Sequence, residues 1–159
     1  MDVGNILHTV PQRILDESRA FFYQRGLEGC EGTALWVGHP SESGVLITRL
    51  FIPEQIATKS RWGVAVDLTE KAHYTLTDNL HDGERFYVRI HSHPREAYHS
   101  ARDDENPILT HQGALSIVVP DFAKRRIVLE ECAIYRLVHG RGWLPLAREM
   151  LPRLFQVIP

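Results

Sequence analysis

At 159 residues the chain fits one domain over 1–159, long enough to bury roughly two-thirds of the surface its unfolded form exposes. A composition 43% apolar and 24% charged argues against disorder, and a formal net charge of −2 with a pI near 6.5 supplies no basic field for nucleic acid. No apolar run reaches the roughly 18 residues of a membrane span, and residues 1–10 lack the basic start and apolar stretch of a signal peptide, so a cytoplasmic location is expected.

Residues 11–25 open with Pro11, carry Ile14, Leu15, Ser18, Phe21 and Phe22 at helical spacing and stop at Gly26, which predicts an amphipathic helix. Residues 33–37 and 44–52, joined by His39-Pro40-Ser41-Glu42-Ser43, predict a hairpin. Residues 54–62 read as a polar connection with one exposed-looking aromatic, Trp62, which either meets a binding partner or, the preferred reading, packs in the core, while Lys59 and Arg61 are solvated. A short strand at 63–66 precedes Leu68, Ala72, Leu76 and Leu80, whose four-residue recurrence predicts a helix ending near Asp82-Gly83. Phe86-Tyr87-Val88-Arg89-Ile90 alternates as a strand does. Residues 115–119, 126–129 and 133–138 read as closing strands, and 143–155 as a terminal helical segment interrupted by Pro145 and Pro152. The implied class is α/β, an antiparallel or mixed sheet with helices packed on it. Cys30 and Cys132 read as free, buried thiols, and Cys30 has no paired histidine in sequence that would make it a nucleophile.

The strand from Arg85 runs into His91-Ser92-His93-Pro94, and Ser100-Ala101-Arg102-Asp103 follows. Alternate side chains of a strand share a face, so His91 and His93 point the same way, about 7 Å apart at Cα. Pro94 cannot donate to the ladder and ends it. The polar loop beyond lets Ser100 and Asp103 fold back, and their spacing suits a first helical turn with Ser100 as N-cap. Imidazole nitrogen and carboxylate oxygen are donors that zinc prefers, and three protein ligands leave a fourth tetrahedral position open, which points to catalysis. His8, His39, His73, His81, His111 and His139 read as solvated or capping, whereas His99 lies inside the loop itself.

His91-Ser92-His93-Pro94 with Ser100-x-x-Asp103 resembles the JAMM signature of the JAB/MPN metalloproteases. Glu31-Gly32-Thr33-Ala34-Leu35-Trp36-Val37-Gly38 is similar to that family's Glu-x-x-Gly-x-x-x-Gly opening, with Ala34 where glycine is usual, and residues 114–121 resemble the strand after the metal loop. The similarity spans roughly residues 12–138. It implies a three-layer, cytidine-deaminase-like fold, a Zn2+ ion on His91, His93 and Asp103, Glu31 as general base and Ser100 as donor to the oxyanion. It further implies an isopeptidase of deubiquitinase type, which cleaves ubiquitin or a ubiquitin-like protein from its conjugates or processes its C-terminus. The setting would be a bacterial ubiquitin-like conjugation system, antiviral ones included, with activating and conjugating enzymes as partners.

Alone, Glu31 beside Glu28 reads as a surface carboxylate and Ser100 as an ordinary cap; their joint order with the histidines supplies the roles. The loop is one residue shorter than the family's. Asp103 keeps the Ser-x-x-Asp relation, whereas Asp104 would keep the His-to-Asp distance but put Ala101 where the serine belongs, so Asp103 is preferred. The same ligands would serve a hydrolase that frees an amino acid from a sulfur-carrier protein's C-terminus. A non-catalytic scaffold is the third alternative, against which retention of all five residues argues.

Overall fold

A computed structural model describes residues 5–105 and 108–159, so residues 1–4 and 106–107 of the expected 1–159 domain lie outside the described residues. β1 (Leu7–Pro11) leads into α1 (Gln12–Leu27), followed by β2 (Thr33–Ser41), β3 (Gly44–Phe51), β4 (Gln55–Ser60), β5 (Gly63–Leu68) and α2 (Glu70–Thr75). Then come β6 (Arg85–Ser92), α3 (Ala101–Glu105), β7 (Leu115–Val119), β8 (Ala133–Val138), β9 (Gly142–Pro145), α4 (Leu151–Leu154) and β10 (Phe155–Ile158). Eight described strands form one mixed sheet in the order β10-β1-β3-β2-β6-β7-β8-β9, and β4 and β5 form a separate hairpin. The α/β class is therefore as expected. Among the described residues no helix is long and apolar enough to cross a membrane.

The sheet is buried on both faces where β2 crosses it. Ala34 and Trp36 join one apolar cluster with Ile14, Leu15 and Phe22 of α1, while Leu35 and Val37 join another with Leu68, Ala72 and Leu76. A strand covered on both sides carries a near-continuous apolar run rather than an alternation. Ser18 interrupts the apolar stripe of α1 because it is fully used: its hydroxyl donates to Ile14 O (2.6 Å) and accepts from Trp36 Nε1 (3.0 Å).

Several local expectations are corrected. Gly26 does not end α1; the helix continues to Leu27, and a Cβ at Gly26 would lie 2.5 Å from Phe122 Cβ, so glycine there admits a neighbouring turn. Pro11 closes β1 and stands as the N-cap of α1, with Gln12 as the first helical residue. Leu68 belongs to β5, and Thr69 caps α2 by accepting from Ala72 N at 3.1 Å, so the helix starts later than its leucine spacing suggests. Residues 126–129 form no strand and pass into a 3-10 turn at Leu129–Glu131. The terminal segment holds β9, the one-turn α4 and β10, because His8↔Phe155 pairing with β1 overrides local helical character.

Gln55–Ser60 is a strand and not an irregular connection; its mostly polar composition suits a hairpin exposed to solvent. At its turn Trp62 is 84% exposed, which overturns its assignment to the core, and the Arg61 guanidinium lies 4.7 Å from the ring centroid. Lys59 and Arg61 are exposed as expected. His8 is buried, contrary to the solvated reading, and its Nδ1 donates to Leu154 O at 3.2 Å. His73, His81, His111 and His139 are exposed. Both cysteines are free and half-buried; burial, with Glu131 and Glu130 adding to it, pushes the Cys132 thiol up to about 12.

Candidate metal centre

Strand register assembles the site. β2 runs antiparallel to β6 with Thr33 opposite His91, and the pairing continues past the strand end: Ser92 N donates to Gly32 O and Gly32 N to Ser92 Oγ, both at 3.0 Å. Glu31, the next residue back along the chain, lines the same cleft as His93, whose imidazole acts on its carboxyl. The segment carrying Glu31 is clamped. Arg25 donates to Glu31 O through Nε (3.1 Å) and Nη2 (3.0 Å), and the Gln55 amide binds Thr33 N and Thr33 O, each at 2.9 Å. Gly32 lets α1 pack against the segment, since a Cβ there would meet Phe21 Cε1 at 2.9 Å.

On its other side β6 is parallel to β7, and His93 N donates to Val119 O at 2.8 Å. Beyond β7, Asp121, Phe122 and Ala123 have φ of 54°, 52° and 53°. Consecutive left-handed residues are costly. Here they aim Phe122 N at His93 O and Asp121 N at Arg95 O, both 2.8 Å, and so hold the loop after the second histidine.

Asp103 is presented by a reciprocal cap. Ser100 Oγ accepts from Asp103 N (3.1 Å) and Asp103 Oδ2 accepts from Ser100 N (2.8 Å), the pairing expected of an N-cap serine and an acceptor at the third helical position. The carboxylate is thereby turned toward β6. Asp103 Oδ1 lies 3.3 Å from His91 Nε2, and Oδ2 lies 3.3 Å from His93 Nε2. One ligand atom from each of the three residues falls within 4.8 Å of the others. Ligands about 2.0–2.2 Å from a tetrahedral ion stand about 3.3–3.6 Å apart; each His–Asp separation falls in that range, to a different carboxylate oxygen, and the set as a whole spans up to 4.8 Å. His91 Nε2 is buried and has no hydrogen-bond partner among the described residues, despite its proximity to Asp103. A cation would satisfy that nitrogen, so the donor set fits a metal ion.

The electrostatics agree. Burial alone would raise the Asp103 carboxyl, but the His91 and His93 imidazoles and the Ser100 amide hold it well below the usual carboxylate range. Burial lowers the pKa of His91 and so favours the neutral, lone-pair form. For His93 burial is outweighed by Asp103 and Glu31, and the pKa rises. Glu31 is buried; desolvation, opposed by His93 and reinforced by Asp103, raises its carboxyl from 4.5 to about 7.

Behind the cluster lies a network that sequence reasoning missed. Arg89 is buried; its Nη2 donates to Asp103 O at 2.7 Å, its Nε to Ser116 Oγ at 3.0 Å, and its guanidinium lies 4.3 Å from the Trp143 ring centroid. Burial, opposed by Asp103 and Asp104, pushes Arg89 down to about 10. His99 stacks on Tyr135 at 3.9 Å, its Nε2 lies 2.7 Å from Ser116 Oγ, and its Nδ1 lies 2.9 Å from Asp104 Oδ1. Of the two possible registers, then, Asp103 faces the imidazole pair and Asp104 faces His99. The local hints were that Arg89 shares the strand parity of His91 and that His99 lies inside the loop.

Glu31, His93, Ser100 and Asp103 line one cleft of about 560 Å³, with the β4–β5 hairpin, Thr58 to Val66, as the opposite wall. His91 lies buried behind them. All five residues singled out in the sequence therefore meet in one place.

Fold and site define a mixed α/β protein with a buried His-His-Asp cluster, able to hold a metal ion, at the edge of an open cleft. No family model matches the sequence. It is 32% identical over 149 residues, 93% of this chain and 92% of the relative, to "Probable metalloprotease y4jG" of Sinorhizobium fredii (strain NBRC 101917 / NGR234). The chain belongs to that metalloprotease family. Its fold is also that of two solution structures: protein DSY2949 from Desulfitobacterium hafniense (TM-score 0.56, 15% identity, 95% of this chain and 92% of that one) and a protein from Salinibacter ruber (TM-score 0.53, 16% identity, 87% and 88%).

Proposed function

We infer that this chain is a zinc-dependent isopeptidase of the JAB/MPN type, one domain over residues 1–159, acting in the cytoplasm. Its substrate is a ubiquitin-like protein, which it removes from conjugates or trims at the C-terminus, within a bacterial conjugation system whose activating and conjugating enzymes are its partners. The supporting observation is that Glu31 shares one cleft with His93, Ser100 and Asp103 and that both His93 and Asp103 act on its carboxyl. The metalloprotease relative supports the hydrolase class.

His91, His93 and Asp103 would hold the ion. When bound, zinc supplies a Lewis acid and lowers the pKa of its water to about 7. Glu31, raised to about 7, takes up a proton near neutral pH and returns it to the leaving amine. The Ser100 oxygen accepts from Asp103 N, which leaves its O–H to be donated to a developing oxyanion, an interaction worth about 3–4 kcal/mol in comparable sites. Arg89, through Asp103 O, holds the helix turn that presents the carboxylate. Among the described residues the hairpin pairs only with itself, and β5 lines the cleft, so an extended modifier tail has a strand edge to join by main-chain hydrogen bonds.

The test incubates the purified chain with ubiquitin-like modifiers fused through their C-termini to a reporter, with and without a chelator. Cleavage at the junction, abolished by chelator and by Glu31→Gln, is the expected result. Cleavage that persists in both would overturn the proposal.

A further inference from the structure

A second cavity of about 170 Å³ opens at the other end of β6, lined by Arg85 and Tyr87 of that strand, His8 of β1, His111 before β7 and Arg136 of β8. Six residues separate Arg85 from His91, about 20 Å at strand rise, so this cavity is distinct from the metal cluster. Its ionisable lining is wholly basic, two guanidinium groups and two imidazoles, with no aspartate or glutamate among the described residues that line it. Arg85 and His111 are exposed at the mouth; His8 is buried, its ring anchored by Leu154 O.

Arg136 Nη2 is shielded from solvent and has no hydrogen-bond partner among the described residues. Buried polar groups are normally satisfied, so half-buried Arg136 with this one orphaned nitrogen leaves a donor unused at the pocket wall. The surroundings worsen the imbalance. Burial lowers the pKa of His8 against backbone hydrogen bonds to Leu154 and Ile6, with Arg136 and His111 adding to the lowering; burial and then Arg85 and His139 do the same to His111. No carboxylate opposes either effect.

The cavity is smaller than the roughly 300–1,000 Å³ of ordinary small-molecule sites, which suits a single compact headgroup. Two permanent positive charges call for two negative ones, and the guanidinium fork matches oxyanion geometry. We propose that this pocket binds a phosphate group, with Arg136 as its inner ligand, Arg85 at the mouth, and His8 and His111 beside it. A monocarboxylate would leave one arginine uncompensated. The phosphate could arrive as the free ion or as a monoester.

Calorimetric titration of the protein as purified, at constant ionic strength, tests this with inorganic phosphate, O-phosphoserine and acetate. Phosphate or phosphoserine should saturate with at least tenfold higher affinity than acetate, and the tighter of the two identifies the source. Arg136→Gln and Arg85→Gln should each weaken that binding at least tenfold. Should Arg136→Gln fail to fold, the exposed Arg85→Gln carries the test alone. Equal affinity for acetate, or phosphate affinity unchanged in folded Arg85→Gln, overturns the assignment.

Discussion

Replacing Glu31 by glutamine should cost activity and increase stability, and the second effect depends on pH with a definite sign. Burial raises the Glu31 carboxyl from 4.5 to about 7 in the folded chain. A group whose folded pKa lies above its unfolded one favours the fold below the unfolded value and loses that contribution as pH rises through the folded one. At pH 8 the ionised carboxylate is therefore held at a cost of at most about 3 kcal/mol, at about 1.4 kcal/mol per pH unit. Glutamine keeps the shape and never ionises. With a chelator present throughout, Glu31→Gln should be more stable than the parent at pH 8 by about 1–3 kcal/mol, or roughly 3–10 °C in Tm for a chain of this size. At pH 5 the two should nearly coincide. Urea unfolding at both pH values measures this; equal differences at pH 5 and pH 8, or a loss of stability at pH 8, would refute the buried-carboxylate account.

Other substitutions probe separate parts of the structure. Ser100→Ala should lower kcat by about 10²–10³ with bound metal retained, and lower stability by about 1 kcal/mol through loss of the cap; unchanged kcat would remove Ser100 from the mechanism. Glu84 binds Arg49 in bidentate fashion (3.1 and 2.7 Å), and the Arg49 bonds, with the His81 amide, lower its carboxyl to about 2. That depressed pKa adds stability above about 4.5, lost as pH falls through about 2, so Glu84→Gln should cost about 1 kcal/mol at pH 7 and almost nothing at pH 2. Gly26→Ala sets a helix-propensity gain of about 1 kcal/mol against a Cβ 2.5 Å from Phe122 Cβ. Phe122 is fixed by its left-handed backbone, so the clash should win and Tm should fall.

Much of the site is local in sequence and was legible for that reason. The His-x-His parity on β6, the proline that ends the ladder and the reciprocal Ser100–Asp103 cap each depend on residues within a turn or two of one another. Glu31 is different. Nothing in its own neighbourhood separates it from Glu28, and it was reached by resemblance; physically it is brought in by the β2–β6 register, a pairing across 58 positions. Long-range pairing also explains the misread C-terminus, where β10 exists because β1 lies beside it. Trp62 was misplaced because large aromatic residues are usually interior, whereas this one sits on the turn of a hairpin that stands outside the main sheet. Arg89 and His99 were illegible as a pair because they meet, 3.2 Å apart, only where the loop after β6 folds back, beside Ser116 of the next strand.

The central claim is most directly tested by metal content. Purified protein should carry about one zinc per chain, Asp103→Ala and His91→Ala should each lose it, and Asp104→Ala, whose carboxylate is directed at His99, should keep it. Zinc retained by both Asp103→Ala and His91→Ala, or lost from Asp104→Ala alone, would contradict the account.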